Sequence, residues 1–311
     1  MARDRWTDLL DPDEAQLREQ VPGDLRREAW QELLRPADEH GVVPRPTIKS
    51  HGSYVLGLLL TPVAVPEEDL VYYEEVDFVL TRERLVTIRK TPGSRPAYDP
   101  ANIAELCEAQ HNGVSPGMIV YYLTDDIAER FLDLLDDIHS EVDEIEEEVD
   151  KWPLEEVRRR LSGLRHDLLH VRKVLAPTRD AVREIVDGRV EIEGRMPFSR
   201  EVFPTELERQ FSTTYDKLLR AGEAIEFARD LLAAVRDYQQ ARLAIDQNEV
   251  TKKLTAIASM VLLPTFIVGV YGQNFDHMPE LHWRFGYAYS WAVILGTTLL
   301  QFVYFRRRRW L

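Results

Sequence analysis

Two long apolar stretches near one end of the chain stand out from a sequence that is otherwise densely charged. Leu254–Tyr271 is an uncharged run of 18 residues, and Phe285–Phe305 is an uncharged run of 21. As helices they would be about 27 and 32 Å long, which is enough to cross a hydrocarbon core of roughly 30 Å. A buried helix of a soluble protein is the alternative, but two such runs in succession argue against it. The pattern therefore predicts two transmembrane helices.

Basic residues flank this pair of runs and predict its orientation. Lys252 and Lys253 precede the first run, and four arginines follow the second: Arg306, Arg307, Arg308 and Arg309. Since positively charged flanks stay in the cytoplasm, both termini are predicted to be cytoplasmic and residues 272–284 to form a short outer loop. The chain is thus expected in the inner (plasma) membrane, which it would cross twice. Its first residues contain no apolar run typical of a signal peptide.

The first part of the chain mixes strand and helix patterns. Ser53–Val65 and Leu70–Lys90 are rich in Val, Leu, Tyr and Phe, which predicts strands, and the second of these segments is expected to fold into a hairpin. Helices are predicted at Asp24–Leu34 and Tyr98–Ala109. Residues 1–125 are therefore expected to form an N-terminal cytoplasmic α/β domain.

From Pro116 onward the sequence pattern predicts helices. Apolar residues recur three and four positions apart over Ile127–Val149, and Pro153 begins a second helix that is predicted to end near Val186. Residues 126–203 are therefore predicted to be acidic cytoplasmic helices. Asp133–Asp150 holds ten acids and no Lys or Arg. A solvated helix face is the simpler explanation, although such a field would also concentrate divalent cations.

One very long helix is predicted to link the cytoplasmic part to the membrane. Between Pro204 and Tyr271 the only further proline is Pro264, and helix-forming residues predominate. This segment of 68 residues would be about 100 Å long, which is too long for a compact domain. Residues 204–271 are therefore predicted to be a stalk that continues into the first span at residues 254–271. Residues 285–311 would then form the second span and a basic tail.

Charge and composition exclude several kinds of protein. The 311 residues include 39 Lys and Arg against 54 Asp and Glu, a formal net charge of −15, which argues against a nucleic-acid partner. Cys107 is the single cysteine, so an internal disulfide and a thiolate-rich metal site are excluded. A phosphate-binding Gly-Lys-Ser/Thr loop is absent, and the pair His166 and His170 lacks the Glu of the metalloprotease motif. The protein is therefore not expected to be an enzyme.

One face of the long helix carries small and polar residues where a coiled coil would carry large aliphatic ones. Positions taken alternately four and three apart are Asp237, Ala241, Ala244, Asn248, Thr251, Thr255, Ala258, Leu262, Thr265 and Gly269. Such a face serves either close helix packing or the lining of a water-filled pore. The residues alone leave these two explanations equally open. A pore would require several copies in a cyclic assembly, because one helical hairpin cannot enclose it.

The predicted outer loop carries the most specific motif in the sequence. It begins with Tyr-Gly-Gln-Asn-Phe at residues 271–275 and continues with Met-Pro-Glu-Leu at residues 278–281, and the chain ends in arginines followed by Trp-Leu. This order resembles the CorA family of magnesium channels, in which Gly-Met-Asn stands at the place of Gly-Gln-Asn. The close similarity covers about residues 245–311, and the upstream part matches in plan only.

The resemblance implies a fold, an assembly and a set of site residues. An α+β cytoplasmic domain, a long stalk helix and two C-terminal transmembrane helices would assemble in the lipid bilayer as a funnel-shaped homopentamer. Gly272, Gln273 and Asn274 would form the selectivity loop at the outer mouth, and Glu280 would lie further along this loop. The implied pore-lining residues are Asn248, Thr251, Leu254, Leu262, Thr265 and Gly269. This face differs locally by one residue from the spacing-derived one, which contains Thr255.

The resemblance also implies a function. It implies influx of Mg²⁺ down its electrochemical gradient, with Co²⁺ and Ni²⁺ as further candidate ions and no cofactor. Neutral amide oxygens suit this strongly hydrated ion because they bind its water shell without trapping it. Cytoplasmic Mg²⁺ would also regulate the channel through carboxylates, with Asp237 on the stalk as one ligand and its partner unidentified. The four terminal arginines would form basic rings in the oligomer.

Other interpretations stay open at this point. Gln273 replaces the family's Met, and zinc-transporting relatives also vary there, so a channel for Zn²⁺ or another divalent ion is one alternative. His277 and His282 have the chemistry to bind zinc, although solvated loop residues are the simpler explanation. A tail-anchored coiled-coil scaffold, which would use the stalk only for assembly, is an alternative of a different kind.

Overall fold

The computed structural model describes residues 5–37, 43–65, 70–110, 113–192, 202–273 and 278–311. Contacts within the chain divide it into two compact units, Met1–Val235 and Arg236–Leu311. The boundary lies inside the longest helix, so each unit contains part of that helix.

A five-stranded mixed sheet forms one layer of the first unit. Its strands are β1 (Trp6–Leu10), β2 (Thr47–Ser50), β3 (Val55–Val65), β4 (Leu70–Leu80) and β5 (Leu85–Lys90), in the spatial order β1-β5-β4-β3-β2. β1 pairs parallel with β5, and the other neighbouring strands are antiparallel. The predicted hairpin is confirmed as β4 and β5, with Leu80 opposite Leu85.

Strand β1 is a part of the sheet that the sequence pattern does not predict. Its segment is short and half-buried, and long-range contacts with β5 stabilise it. The Trp6 indole N–H donates to Thr87 Oγ1 at 3.0 Å, and Arg89 Nη2 donates to the Asp8 carboxylate at 2.7 Å. Partners about 80 positions away in the chain leave no local periodicity that would reveal the strand.

Three short helices accompany the sheet: α1 (Glu14–Gln20), α2 (Arg27–Leu34) and α3 (Ala101–Ala109). Helix α1 was not expected from the sequence, although Asp13 and Gln16 form a capping box at its start. Helices α2 and α3 end where the sequence predicts. Each begins three residues later than predicted, and α3 starts directly after Pro100.

Two helices of 33 residues each follow, α4 (Pro116–Glu148) and α5 (Leu154–Val186). The end of α5 at Val186 is confirmed. The start of α4 at Pro116 agrees with the helical pattern that begins there in the sequence, and its first turns bury apolar residues such as Val120 and Leu123 in the main core. Ser115 caps this start by accepting the Met118 N–H at 3.2 Å. The predicted domain boundary between residues 125 and 126 therefore falls inside a continuous helix.

The long helix is confirmed as α6 (Thr205–Tyr271), a single helix of 67 residues with Pro264 inside it. Its first part belongs to the first unit, where Phe211, Leu218 and Ile225 lie fully buried in the main core. Lys217 on the same part bridges two carboxylates of α4, at 2.8 Å from Asp125 and 2.6 Å from Glu129.

The second unit consists of the remainder of α6, a short 3₁₀ helix (Pro279–His282) and α7 (Gly286–Arg307). Both α6 and α7 contain a stretch that is long and apolar enough to cross a membrane, and only 6% of each stretch is buried. The chain thus has an α+β domain, one very long helix and a C-terminal helix, as the sequence predicts.

Candidate functional site

The membrane-length part of α6 has one face that packs against α7. Ala256 is fully buried, and Met260, Leu263 and Ile267 are half-buried on the same face. Gln301 of α7 contributes a polar contact to this packing, because its Nε2 donates to the Ser259 carbonyl at 3.5 Å. One side of the membrane-length part of α6 is therefore covered by α7.

The facing side of α7 also carries hydroxyl groups. Thr297 and Thr298 donate to the carbonyls of Val293 and Ile294 at 2.7 Å, so their hydrogen-bond donors are satisfied within their own helix. Phe305 at the end of this face is buried. Small and hydroxyl-bearing residues are typical of close packing between apolar helices.

The implied pore-lining residues lie on the opposite face of α6. Thr265 follows Ala256 by nine residues, which is two and a half helical turns, so the two side chains point in opposite directions. Leu254 and Leu262 are 66% and 70% exposed. All six residues of the implied set are exposed in the chain: Asn248, Thr251, Leu254, Leu262, Thr265 and Gly269. The structure therefore brings them together along one uncovered stripe.

The threonines of this stripe present oxygen acceptors outward. Thr251 Oγ1 donates to the Gln247 carbonyl, and Thr265 Oγ1 donates to the Val261 carbonyl, both at 2.8 Å. Thr255 makes the same contact with the Thr251 carbonyl. Because the hydroxyl hydrogens are used within the helix, the free oxygen lone pairs are what these side chains offer to water or to a cation.

Large apolar residues flank the stripe on both sides. Ile257, Val261 and Val268 are exposed on one flank, and Phe266 is exposed on the other. Such a two-sided pattern is what a helix needs if its flanks contact neighbouring helices or lipid while a narrow central stripe faces water. Thr255 belongs to the face derived from helical spacing, and Leu254 belongs to the face implied by the family resemblance. Both residues are exposed, so exposure does not distinguish the two faces.

The loop motif is described only in part. At the end of α6, Gly272 N–H donates to the Val268 carbonyl at 2.9 Å, and Gln273 N–H donates to the Val270 carbonyl at 3.3 Å. These bonds place Gly272 and Gln273 directly at the end of the apolar helix. The predicted residues Asn274 and His277 lie outside the described residues. The backbone of Glu280 lies in the short 3₁₀ helix.

The carboxylate of Asp237, the candidate regulatory ligand, is exposed near the start of the second unit. Its nearest described charge is Arg236, at 3.3 Å between Nη2 and Oδ1. Among the described residues, no group of three or more His, Cys, Asp or Glu side chains is arranged to hold a metal ion. A regulatory site that includes Asp237 would therefore need ligands beyond this described part of one chain.

The basic C-terminal end is folded back on α7. The guanidinium groups of Arg306 and Arg308 lie over the rings of Phe302 and Tyr304 at 6.0 and 5.8 Å. Arg309 adopts a left-handed conformation (φ 56°), and the Trp310 ring then stacks on Phe305 at 5.6 Å. All four arginines, Arg306, Arg307, Arg308 and Arg309, are exposed.

Part of the acidic face of α4 is neutralised by bases that follow it in the chain. Glu144 pairs with Arg160 of α5 at 3.0 Å, and Glu148 pairs with Lys151 at 2.7 Å. The rings of His166 and His170 are 4.2 Å apart on α5, but no third metal ligand joins them within the described chain.

Sequence reasoning missed a buried ionic cluster in the sheet. Lys90 Nζ lies 2.6 Å from Glu75 and 2.5 Å from Asp77, and Arg35 at the end of α2 lies 2.5 Å from Glu75. Burial raises the pKa of Asp77 to about 7, although the Lys90 ammonium opposes the shift. The available signal was the pair of acids two positions apart in a predicted strand, with a Lys at the end of the next strand.

Comparisons place the chain among known proteins. The family described as CorA-like Mg2+ transporter protein matches residues 4–307. The cobalt/magnesium transport protein CorA of Thermotoga maritima is 32% identical over 244 residues, which cover 76% of this chain and 65% of that relative's length. The magnesium transport protein CorA of Haemophilus influenzae is 39% identical over 67 residues, which cover 22% of this chain and 21% of that protein. The complete structure of the CorA magnesium transporter from Methanocaldococcus jannaschii shares the fold, with a TM-score of 0.75 and 19% identity over 98% of this chain and 91% of that one.

Proposed function

Because this chain belongs to the CorA-like Mg2+ transporter family, we propose that it assembles as a homopentamer in which five copies of α6 enclose a channel for Mg²⁺. The observation that supports this most is the division of the first apolar helix into two faces. One face packs on α7 around Ala256, and the opposite stripe from Asn248 to Gly269 is exposed and rich in small and oxygen-bearing residues. A single span facing lipid all round would have no use for such a stripe.

Selection is proposed to occur at the end of α6, where Gly272 and Gln273 lead into Asn274. A ring of Asn274 amide oxygens would hydrogen-bond the hydration shell of Mg²⁺, which gives up its water reluctantly. Neutral oxygens hold the ion weakly enough for it to leave again, as conduction requires. Further along the same loop, Glu280 would add negative charge at the mouth and attract cations.

The protein would lie in the inner membrane with both termini in the cytoplasm. The membrane potential would then provide the driving force for influx. A divalent ion gains about 4.6 kcal/mol per 100 mV, twice the value for a single charge. Influx would therefore need no nucleotide hydrolysis.

Closure is proposed to depend on internal Mg²⁺ and on the leucines of the stripe. Leu254 and Leu262 would form apolar rings that gate by expelling water when the helices approach. Asp237 would share a regulatory Mg²⁺ with carboxylates of a neighbouring copy, and loss of the ion would let the copies separate. The rings of Arg306, Arg307, Arg308 and Arg309 would lie at the cytoplasmic membrane surface.

Flux into liposomes tests the proposal. Purified protein should carry Mg²⁺ into vesicles under an inside-negative potential, and Asn274→Ala should lower the rate by at least about tenfold, because each subunit loses its amide oxygen. His282→Ala in the same loop is the matched control and should conduct normally. A normal rate with Asn274→Ala, or a monomer by light scattering in mild detergent, would contradict the proposal.

The same assay separates the alternatives. A tail-anchored scaffold would pass no divalent ion. A zinc channel would pass Zn²⁺ faster than Mg²⁺, Co²⁺ and Ni²⁺ when the four ions are compared at equal concentration. For the regulatory site, Asp237→Asn should weaken inhibition of flux by internal Mg²⁺, and unchanged inhibition would remove Asp237 from that role.

A further inference from the structure

An open groove in the first unit is lined by none of the residues proposed for conduction. It has a volume of about 610 Å³ and lies between the chain around β2 and the C-terminal half of α5. A second cavity of about 480 Å³ adjoins it, and the two share Arg45 and Pro177 in their walls. Each of the two volumes falls within the range of pockets that bind small organic ligands, about 300–1,000 Å³.

Uncompensated positive charge surrounds both cavities. Arg26, Arg45 and Lys49 line the first, and Arg45 and Lys173 line the second. Within the described part of the chain, none of these four side chains has a carboxylate within ion-pair distance. This is unusual in a protein of net charge −15, in which many other bases are paired.

The two acids that line the groove are already paired with arginines. Asp180 lines the first cavity but accepts from Arg179 Nη2 at 2.8 Å. Glu184 also lines it and pairs with Arg189 at 3.3 Å. Each acid is thus already matched by its own arginine, so the four basic side chains remain in excess.

Neighbouring positive charges also contribute to lowering the pKa values of two histidines in the cavity walls. The pKa of His51, in the wall of the first cavity, is lowered by burial and then by Arg26 and Lys49, which outweigh the opposing charges of Glu32 and Glu28. The pKa of His170, in the wall of the second, is lowered by burial and then by His166 and Lys173. Neighbouring cations at both places disfavour the protonated imidazole.

A tyrosine in the wall of the second cavity has a buried hydroxyl without a partner in the described part of the chain. Tyr73 is 8% exposed, lines this cavity, and its hydroxyl makes no hydrogen bond to the described chain. Burial, with the nearby Asp167 charge, raises the pKa of Tyr73, so the phenol stays protonated and is available as a donor. A buried polar group without a partner is rare in native proteins and points to a bound molecule or water.

We propose that the groove binds an organic polyphosphate of nucleotide size. Arg45 and Lys173 would contact the phosphate oxygens, with the Tyr73 hydroxyl as a third donor, because charge-assisted hydrogen bonds to phosphate are strong. The apolar walls, which include Ile48, Pro177 and Val190, would cover the organic part of the ligand. This site does not depend on the proposed ion conduction.

Calorimetric titration of the full-length protein in detergent tests the proposal, with ATP as the probe and EDTA present to exclude Mg²⁺ effects. We expect saturable binding at one site per chain. The double variant Arg45→Ala/Lys173→Ala should weaken it by at least about tenfold, and Tyr73→Phe, which removes only the hydroxyl, by about threefold. Arg158→Ala, an exposed arginine elsewhere on α5, is the matched control and should bind as the unmodified protein does.

Three results would overturn the proposal. The first is the absence of saturable ATP binding. The second is equal affinity in the double variant and in Arg158→Ala, which would place binding elsewhere. The third is pyrophosphate binding as tightly as ATP, which would show that the apolar walls hold nothing and that the ligand is not of nucleotide size. Matching circular dichroism spectra and gel-filtration profiles establish that the variants are folded.

Discussion

The two parts of α6 have the same backbone conformation and opposite burial. Before Val235, the helix buries residues such as Phe211, Leu218 and Ile225 at helical spacing within the core of the first unit. From Arg236 to Tyr271, all of which the structure describes, Ala256 is the only buried residue. One part therefore completes its packing within the chain, while the other exposes most of its apolar surface.

This difference shows where each part finds its stabilising contacts. The first unit has a continuous apolar core and pairs its buried charges internally, as Lys90 does with Glu75 and Asp77. The second unit presents exposed leucines and a stripe of small and polar residues, which are consistent with lipid, water and further copies as surroundings. Substitutions in the first unit should consequently change folding stability, and substitutions on the stripe should change transport.

The largest effect on stability is expected from Lys90→Met. The substitution removes the ammonium between the buried Glu75 and Asp77 and leaves only Arg35 beside Glu75, and breaking a buried pair in this way typically costs about 3–5 kcal/mol. The free energy of unfolding, measured by urea titration with near-ultraviolet circular dichroism, should fall accordingly, and by more at pH 8 than at pH 5 because protonation of a carboxylate relieves the repulsion. Lys151→Met removes only an exposed pair and should cost less than about 0.5 kcal/mol. Equal losses in the two variants would contradict the internal pairing.

A matched pair of leucines on α6 tests the comparison directly. Leu218 is fully buried and Leu262 is 70% exposed. Leu218→Ala should lower the free energy of unfolding by about 2–5 kcal/mol, because it leaves a cavity in the core. Leu262→Ala should leave that energy within about 0.5 kcal/mol and should instead increase Mg²⁺ flux at high internal Mg²⁺, because a smaller side chain weakens an apolar constriction.

The opposite pattern would reverse the comparison. If Leu262→Ala destabilised the protein as much as Leu218→Ala and left flux unchanged, the stripe would be a packing surface and not a pore lining. Unfolding titrations and liposome flux on the same preparations would distinguish these outcomes.

The contrast also explains how far the sequence could predict the structure. Helices with strong periodicity and uninterrupted apolar runs are local signals, so the sequence predicts α5, α6 and α7 nearly to the residue. Strand β1 depends on β5, and local sequence carries no trace of that pairing. Glu75 and Asp77 alternate with Val76 and Phe78, a pattern that normally indicates a solvent-exposed strand face. Only the tertiary arrangement brings Arg35 at the end of α2 over these acids.

The candidate site also combines features that the sequence predicts with features that it does not. The stripe on α6 followed from spacing and from a family resemblance, and the single chain exposes it. The partner of Asp237 could not be predicted, because a carboxylate from another copy, as proposed, would leave no signal in the spacing of one sequence. The basic groove around Arg45 and Lys173 was also missed, since its residues come from segments more than 120 positions apart.

A smaller effect, on pH dependence, is expected from Asp77→Asn. The pKa of Asp77 is raised from 3.8 to about 7 in the folded protein, so the folded state binds more protons than the unfolded state between about pH 4 and 7. Stability from this group is therefore highest below pH 4, falls as the pH rises to about 7, and is constant above that value. Asp77→Asn should flatten this decline in unfolding titrations. The exposed Asp216→Asn should retain the full decline, and a retained decline in Asp77→Asn would assign it to other groups.

The smallest effect is expected from Gln273→Met, which leaves the folded unit and the stripe untouched. Gln273 follows Gly272 at the end of α6 and adds an amide beside Asn274. Its removal should change the ratio of Mg²⁺ to Co²⁺ flux by only a few-fold, because the Asn274 oxygens would still hold the hydration shell. The free energy of unfolding should not change, since the side chain is exposed. Flux ratios in liposomes provide the measurement, and a tenfold or larger shift would show that residue 273, and not Asn274, sets ion preference.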